Sequence, residues 1–182
     1  MITLLIMTNG RYEYLARALE TVEKLHGNFT RILVNDDSQS KLGFTGAMIN
    51  AWERLKEDSN EWVFHLEEDF IIKQDINLEA MIETMNNHPR LQQLVLLREG
   101  IVEKHPERYE DKGNRLEHRV GWSCNPCLYR KSLIYENPWP NVKNSERAYG
   151  QTLLRDQNAQ FAYWEKYPTV KHIGDLRTGF GY

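Results

Sequence analysis

Along the first hundred positions, apolar residues fall in short blocks separated by polar turns, and the spacing inside the blocks alternates. Ile2 to Met7 is apolar apart from Thr3, the pattern of a strand buried on both faces. From Arg11 to Leu25 the apolar positions step by three and four, at Leu15, Ala18, Leu19, Val22 and Leu25, which predicts an amphipathic helix. Ile32, Leu33 and Val34, within Arg31 to Asn35, form a second buried strand closed by the polar turn Asp36-Asp37-Ser38-Gln39-Ser40. Phe44, Ala47, Met48, Ala51, Trp52 and Leu55 give a second helical stripe. Trp62 to Leu66 is a third strand, running into Glu67-Glu68-Asp69. Leu78, Met81, Ile82 and Met85 mark a third helix, with Asn77 placed to cap its start and Pro89 beyond its end. Leu94 to Leu97 reads as a fourth strand.

Strands alternating with helices of this length predict an α/β fold, with helices packed around a mainly parallel sheet. Ligands of such sheets bind outside the carboxyl ends of the strands. Thr8-Asn9, Asp36-Asp37 and Glu67-Glu68-Asp69 each follow a strand directly, so all three are expected on one edge. The second half is less regular. Residues 100–118 are highly charged and are expected to form a long excursion or lid. Val120 to Arg130 is strand-like but interrupted by Asn125-Pro126, and Ser145 to Asn158 is expected to be helical. Phe161 to Trp164 and Thr169 to Ile173 are expected as short strands before a glycine-rich tail. With no internal repeat and no linker, the 182 residues are expected to form one domain.

Composition narrows the chemistry. A net charge of -3 argues against a generic polyanion binder, which would carry a basic excess. No apolar run approaches the roughly 20 residues of a membrane span. The apolar opening lacks the basic flank of a signal peptide. Two cysteines, Cys124 and Cys127, make no disulfide framework, so a reducing, cytoplasmic setting is expected.

The strongest local signal is Phe64-His65-Leu66-Glu67-Glu68-Asp69. Three successive carboxylates repel one another unless a cation neutralises them, and hard divalent ions prefer oxygen ligands of this kind. An acidic run is ordinarily a solvated turn. Its place directly after a buried strand favours a ligand role here.

The order of Thr8-Asn9 with Arg11, then Val34-Asn35-Asp36-Asp37-Ser38, then the acidic triplet resembles the GT-A fold of nucleotide-sugar glycosyltransferases, nearest the family 2-like group. The triplet also resembles the Glu-Asp-Asp metal motif of N-acetylglucosaminyltransferase I-type enzymes. The resemblance implies a Rossmann-like α/β/α sandwich and a metal-dependent hexosyl transfer from a nucleotide-diphosphate sugar, a UDP-sugar by this likeness, to an acceptor hydroxyl. It implies a nucleotide-sugar half over 1–99 and an acceptor half over 100–182. Thr8, Asn9 and Arg11 then line the nucleotide pocket and Asp37 bonds the base, with Glu68 on the ribose side and Glu67, also a nucleotide contact, at the first place of the Asp-x-Asp-like motif. Asp69 and the late His172 fall at metal positions for Mn²⁺ or Mg²⁺, and Lys171 and Arg177 at diphosphate positions. Ser123 to Arg130 looks like the acceptor-side strand, and Glu146 matches the catalytic base of inverting members. Glu stands at the first triplet position where the family usually has Asp, which leaves the division of labour between Glu67 and Glu68 open. A homo-oligomer is compatible with all of this.

Two alternatives follow from the same residues. One is a catalytically degenerate domain that binds a nucleotide without turning it over. The other is a zinc deaminase built on His65, Glu67, Cys124 and Cys127, although Ser123 stands where such enzymes place Pro.

Overall fold

A computed structural model describes residues 1–174. In the first half, β1 (Ile2–Thr8) leads through α1 (Tyr12–Leu19) and β2 (Leu25–His26) to β3 (Phe29–Asp36) and α2 (Gly43–Lys56). Then come β4 (Trp62–Glu67), β5 (Phe70–Ile72), β6 (Ile76–Asn77), α3 (Leu78–Asn87) and β7 (Leu91–Leu96). The second half holds β8 (Glu110–Asp111), β9 (Arg115–His118), β10 (Cys127–Arg130), α4 (Ser132–Glu136), α5 (Ser145–Leu153), β11 (Gln160–Trp164) and β12 (Val170–His172). Eight strands form the main sheet in the order β3-β1-β4-β10-β7-β11-β9-β8. Strands β3, β1, β4, β7 and β11 share one direction, while β10 and β9 are reversed. The architecture is therefore mixed α/β with a mainly parallel central sheet, as the alternation predicts.

Both faces of the sheet are covered, which explains why β1 is apolar at nearly every position. Leu5 and Val63 pack with Met48, Ala51, Trp52 and Leu55 of α2 on one face. Leu4, Ile6, Phe64 and Leu66 pack with Leu78, Met81 and Met85 of α3 on the other. Asn77 caps α3 as its side chain predicts, accepting the Ala80 N–H at 3.0 Å.

Three expectations are corrected. First, the helix foreseen over Arg11 to Leu25 ends at Leu19. The Thr21 hydroxyl donates back to the Ala18 carbonyl (2.8 Å) and accepts the Ile72 N–H (3.0 Å), which ties the chain to β5 and leaves only a single 3-10 turn at Val22–Lys24 beyond it. Second, β3 is not buried on both faces. It is the edge of the sheet, so Leu33 turns inward while Ile32 stays 63% and Val34 44% exposed. Third, the charged stretch 100–118 is not wholly an excursion, because Arg115–His118 is a buried strand of the main sheet. Residues two apart share a strand face. Arg115 and Glu117 therefore neutralise each other in place, with Nη2 2.6 Å from Oε1.

Two buried histidines set an acid limit on this fold. His65, on β4, has no exposed surface, and neither ring nitrogen has a hydrogen-bond partner among the described residues. Desolvation lowers its pKa from 6.5 to about 4, and burial does the same to His118. The unfolded chain takes up these protons near pH 6.5 and the folded chain near 4. Stability is accordingly intact above pH 6.5 and lost as pH falls through that window. His65→Phe is expected to remove roughly 2 to 3 kcal/mol of the loss between pH 7 and 4.5. Urea unfolding of both proteins at the two pH values checks this, and an unchanged pH dependence in the variant would contradict it.

Candidate functional site

The loops after β1, β3 and β4 meet at the carboxyl edge of the sheet, and a single buried carboxylate organises the first of them. Glu68 accepts from the Thr8 hydroxyl and the Arg11 Nε–H, and from the backbone N–H groups of Asn9 and Arg11, both at 3.2 Å. It is 1% exposed, and through these four hydrogen bonds it holds the loop that carries Thr8, Asn9 and Arg11. Removing one partner of a buried ion pair leaves the other desolvated and uncompensated. Glu68→Ala is therefore expected to destabilise the fold by about 3 kcal/mol, read as a drop in the urea midpoint. A change below about 0.5 kcal/mol would show that the loop is held by other contacts.

Asp37 does similar work for the second loop. Its Oδ1 and Oδ2 accept the Leu42 and Gly43 N–H groups, each at 2.8 Å, and so fix the entry to α2. Its own N–H donates to the Thr8 carbonyl at 2.9 Å, which joins the β1 and β3 loops. Gly10 allows them to approach. Its φ is +77°, and a Cβ there would lie 2.5 Å from that of Ser38. Thr8, Asn9, Arg11, Asp37, Phe44, Glu67 and Glu68 then line one depression. It shares Phe44 and Glu67 with a wider cleft of about 720 Å³ that runs past Cys124 and Asn125 to Glu146.

Glu146 stands in the first turn of α5 and accepts the Cys124 N–H through Oε1 at 2.7 Å. Burial pushes its pKa up, while that hydrogen bond and the Arg98 charge pull against the rise. Glu67 is raised further, by burial first and then by the charges of Asp69 and Glu146. Two carboxyls of elevated pKa thus share one cleft, an arrangement suited to moving protons.

Asp69 meets His172 from the other end of the chain. Antiparallel pairing of β5 with β12 sets His172 opposite Phe70, and the Ile173 N–H donates to the Asp69 carbonyl at 2.8 Å. The imidazole Nε2 then lies 3.4 Å from Asp69 Oδ2, with Arg11 Nη1 3.8 Å from the same oxygen. A carboxylate oxygen beside an imidazole nitrogen is a donor pair that fits Mn²⁺ or Mg²⁺ with substrate oxygens completing the shell. Among the described residues no group of three or more His, Cys, Asp or Glu gathers as a cation site.

The structure thus brings together Thr8, Asn9, Arg11, Asp37, Glu67, Asp69, Glu146 and His172. Glu68 joins them in the wall of the depression, and Lys171 stands on an adjoining cleft. Arg177 lies outside the described residues. The zinc-deaminase constellation does not form. Although Cys127 opposes His65 in the sheet, its thiol accepts from Gln93 Nε2 at 3.0 Å. Among the described residues His65, Glu67, Cys124 and Cys127 do not gather as a cation site.

Sequence reasoning passed over Arg98. It follows β7 at the same sheet edge, where it bridges Val170. The strand-end rule that selected Thr8, Asp37 and Glu67 would have found it, had the fourth strand been treated like the first three.

No protein-family model and no curated protein matches the chain. Solved structures do. S. aureus TarS 1-349 in complex with UDP-GlcNAc superposes with a TM-score of 0.62 at 14% identity, covering 97% of this chain and 61% of that one. S. aureus TarS in a longer form gives a TM-score of 0.63 at 13% identity, over 93% of this chain and 36% of that one. A197 from STIV gives 0.58 at 10% identity, over 94% and 84%. At such identities the shared property is the fold, a mixed α/β architecture around a mainly parallel sheet. This chain spans between 36% and 61% of these TarS chains.

Proposed function

We propose that the chain is a GT-A-type glycosyltransferase that moves a sugar from a uridine-diphosphate donor to an acceptor hydroxyl with inversion. The observation that carries the reading is the meeting of Asp37, Glu67, Asp69–His172 and Glu146 on one sheet edge. A neighbour of the same fold, TarS, has been crystallised with UDP-GlcNAc.

The base and ribose would lie in the depression of Thr8, Asn9, Arg11, Asp37 and Phe44, with Glu67 taking the ribose-side role because Glu68 is spent on the loop. Asp69 and His172 would hold Mn²⁺ or Mg²⁺, which when bound supplies positive charge to the diphosphate oxygens. Lys171, and Arg177 by the family likeness, would add cationic charge on the same side. Glu146 accepts the proton of the acceptor hydroxyl through Oε2, since Oε1 is held by the Cys124 N–H. The acceptor oxygen bonds to the anomeric carbon from the Glu146 side as the bond from that carbon to the diphosphate oxygen breaks.

A thermal-unfolding screen of uridine, guanosine and thymidine diphosphates and their sugars, with and without Mn²⁺, tests the donor class. UDP compounds are expected to stabilise by about 2.7 kcal/mol at a hundred times their dissociation constant. Equal or absent stabilisation across the panel would overturn the donor assignment.

A further inference from the structure

Gln93 is a polar residue inside β7 with no exposed surface, at a position where an apolar side chain would be buried at lower cost. Its amide is spent almost entirely on one short segment. Oε1 accepts the Ser123 N–H at 3.1 Å, while Nε2 donates to the Ser123 carbonyl at 2.6 Å and to Cys127 Sγ at 3.0 Å. The Cys127 thiol donates to the same carbonyl at 3.8 Å. The Leu96 N–H donates to the Pro126 carbonyl at 2.7 Å, a second tie between β7 and this segment. The Ser123 carbonyl and the Cys124 N–H belong to one peptide unit. That unit is planar and trans, so its oxygen and its hydrogen point in opposite directions. Fixing the oxygen on Gln93 therefore fixes the direction of the N–H, which is the one that Glu146 Oε1 accepts at 2.7 Å. Donation into the carbonyl also polarises the peptide and strengthens its N–H as a donor.

We propose that Gln93 is a positioning residue for sugar transfer: by gripping the peptide between Ser123 and Cys124, it aims the Cys124 N–H at Glu146 and so sets where that carboxylate stands. The inference rests on the reading of Glu146 as the base and names what holds it. Gln93 has no surface in the cleft, so its effect on transfer passes through Glu146. The same arrangement gives the Cys124–Cys127 spacing a use. One cysteine supplies the backbone N–H to Glu146, and the other braces the carbonyl of the same peptide. A hydrogen bond to the ionised carboxylate favours ionisation. Losing the grip therefore leaves burial to push the Glu146 pKa higher still. The other charged or titratable groups that act with Glu146 are Arg98, Glu67, Cys124, Cys127 and Tyr163, and replacing Gln93 removes none of them.

NMR titration of the glutamate carboxyl carbons tests the proposal, with the Glu146 signal assigned by its loss in Glu146→Gln. Gln93→Met keeps the length and bulk of the side chain without its amide, and is expected to raise the Glu146 midpoint by about one pH unit. The same variant is expected to release UDP from UDP-GlcNAc and Mn²⁺, with water as the acceptor, about tenfold more slowly at pH 7, with KM within about twofold of the wild type. Cys127→Ala removes the brace and one acceptor of the Gln93 amide. It is expected to raise the midpoint by about half as much, and it decides the matter if Gln93→Met fails to fold. A midpoint that stays in place in the folded variant would overturn the proposal, even if turnover falls, because the effect would then be merely structural. If UDP-GlcNAc is not turned over, or Glu146→Gln turns it over normally, the reading of Glu146 as the base fails separately. The carboxyl midpoint still decides whether Gln93 holds that side chain.

Discussion

Glu146→Gln is expected to lower the rate of sugar transfer by about 10³-fold while UDP affinity stays within twofold. The reason is local. Gln keeps a carbonyl oxygen to accept the Cys124 N–H that holds the side chain at 2.7 Å, but it has no basic oxygen left for the acceptor proton. Single-turnover transfer and UDP titration of the same variant separate these effects. The pH profile gives a second, independent sign. Burial raises the Glu146 pKa, so the ionised base fills only above the ordinary carboxylate range, and the rate is expected to climb with pH to a late plateau. The same shift acts on stability. A carboxyl whose folded pKa exceeds its unfolded value binds more protons when folded, so its contribution is present at low pH and lost as pH rises through the shifted pKa. Gln escapes that loss, and the variant is expected to be more stable than the wild type at pH 8. A catalytic defect in a stabilised protein cannot be misfolding. Normal transfer by the variant would remove Glu146 as the base.

Asp69→Asn is expected to abolish the Mn²⁺-dependent part of UDP-GlcNAc affinity and to lower turnover on the order of a hundredfold. Neutralising Asp69 removes the anionic member of the Asp69–His172 pair and also one partner of Arg11. Uridine, which has no diphosphate, is expected to bind the variant as it binds the wild type. That comparison assigns the loss to the diphosphate side. Affinity for UDP-GlcNAc that still responds to Mn²⁺ in Asp69→Asn would place the cation elsewhere.

Much of this framework is legible in the sequence because it rests on strong local patterns. Strands buried on both faces, such as β1 and β4, leave continuous apolar runs, and α2 and α3 leave stripes of period 3.6. The strand-end rule then finds the loops of Thr8, Asp37 and Glu67 from the sequence alone. What stays hidden depends on partners distant in sequence. That β3 is an edge strand follows from strand order, which its residues Ile32 and Val34 do not encode. The buried strand at Arg115–His118 is masked by charges that cancel only once Arg115 and Glu117 share a face. Nothing local distinguishes Glu68 from Glu67, yet the first is consumed by the loop beneath it and the second lines the cleft. The pairing of Asp69 with His172 waits on the β5–β12 ribbon, and so does the bridge that lays Arg98 against Val170.

The central claim is that this sheet edge binds a uridine-diphosphate sugar with a divalent cation. Isothermal titration of the wild-type chain with UDP-GlcNAc, in Mn²⁺ and again in EDTA, tests it most directly. One-to-one binding that weakens at least tenfold when the cation is withdrawn is expected. No heat of binding in either condition, with UDP equally silent, would contradict it.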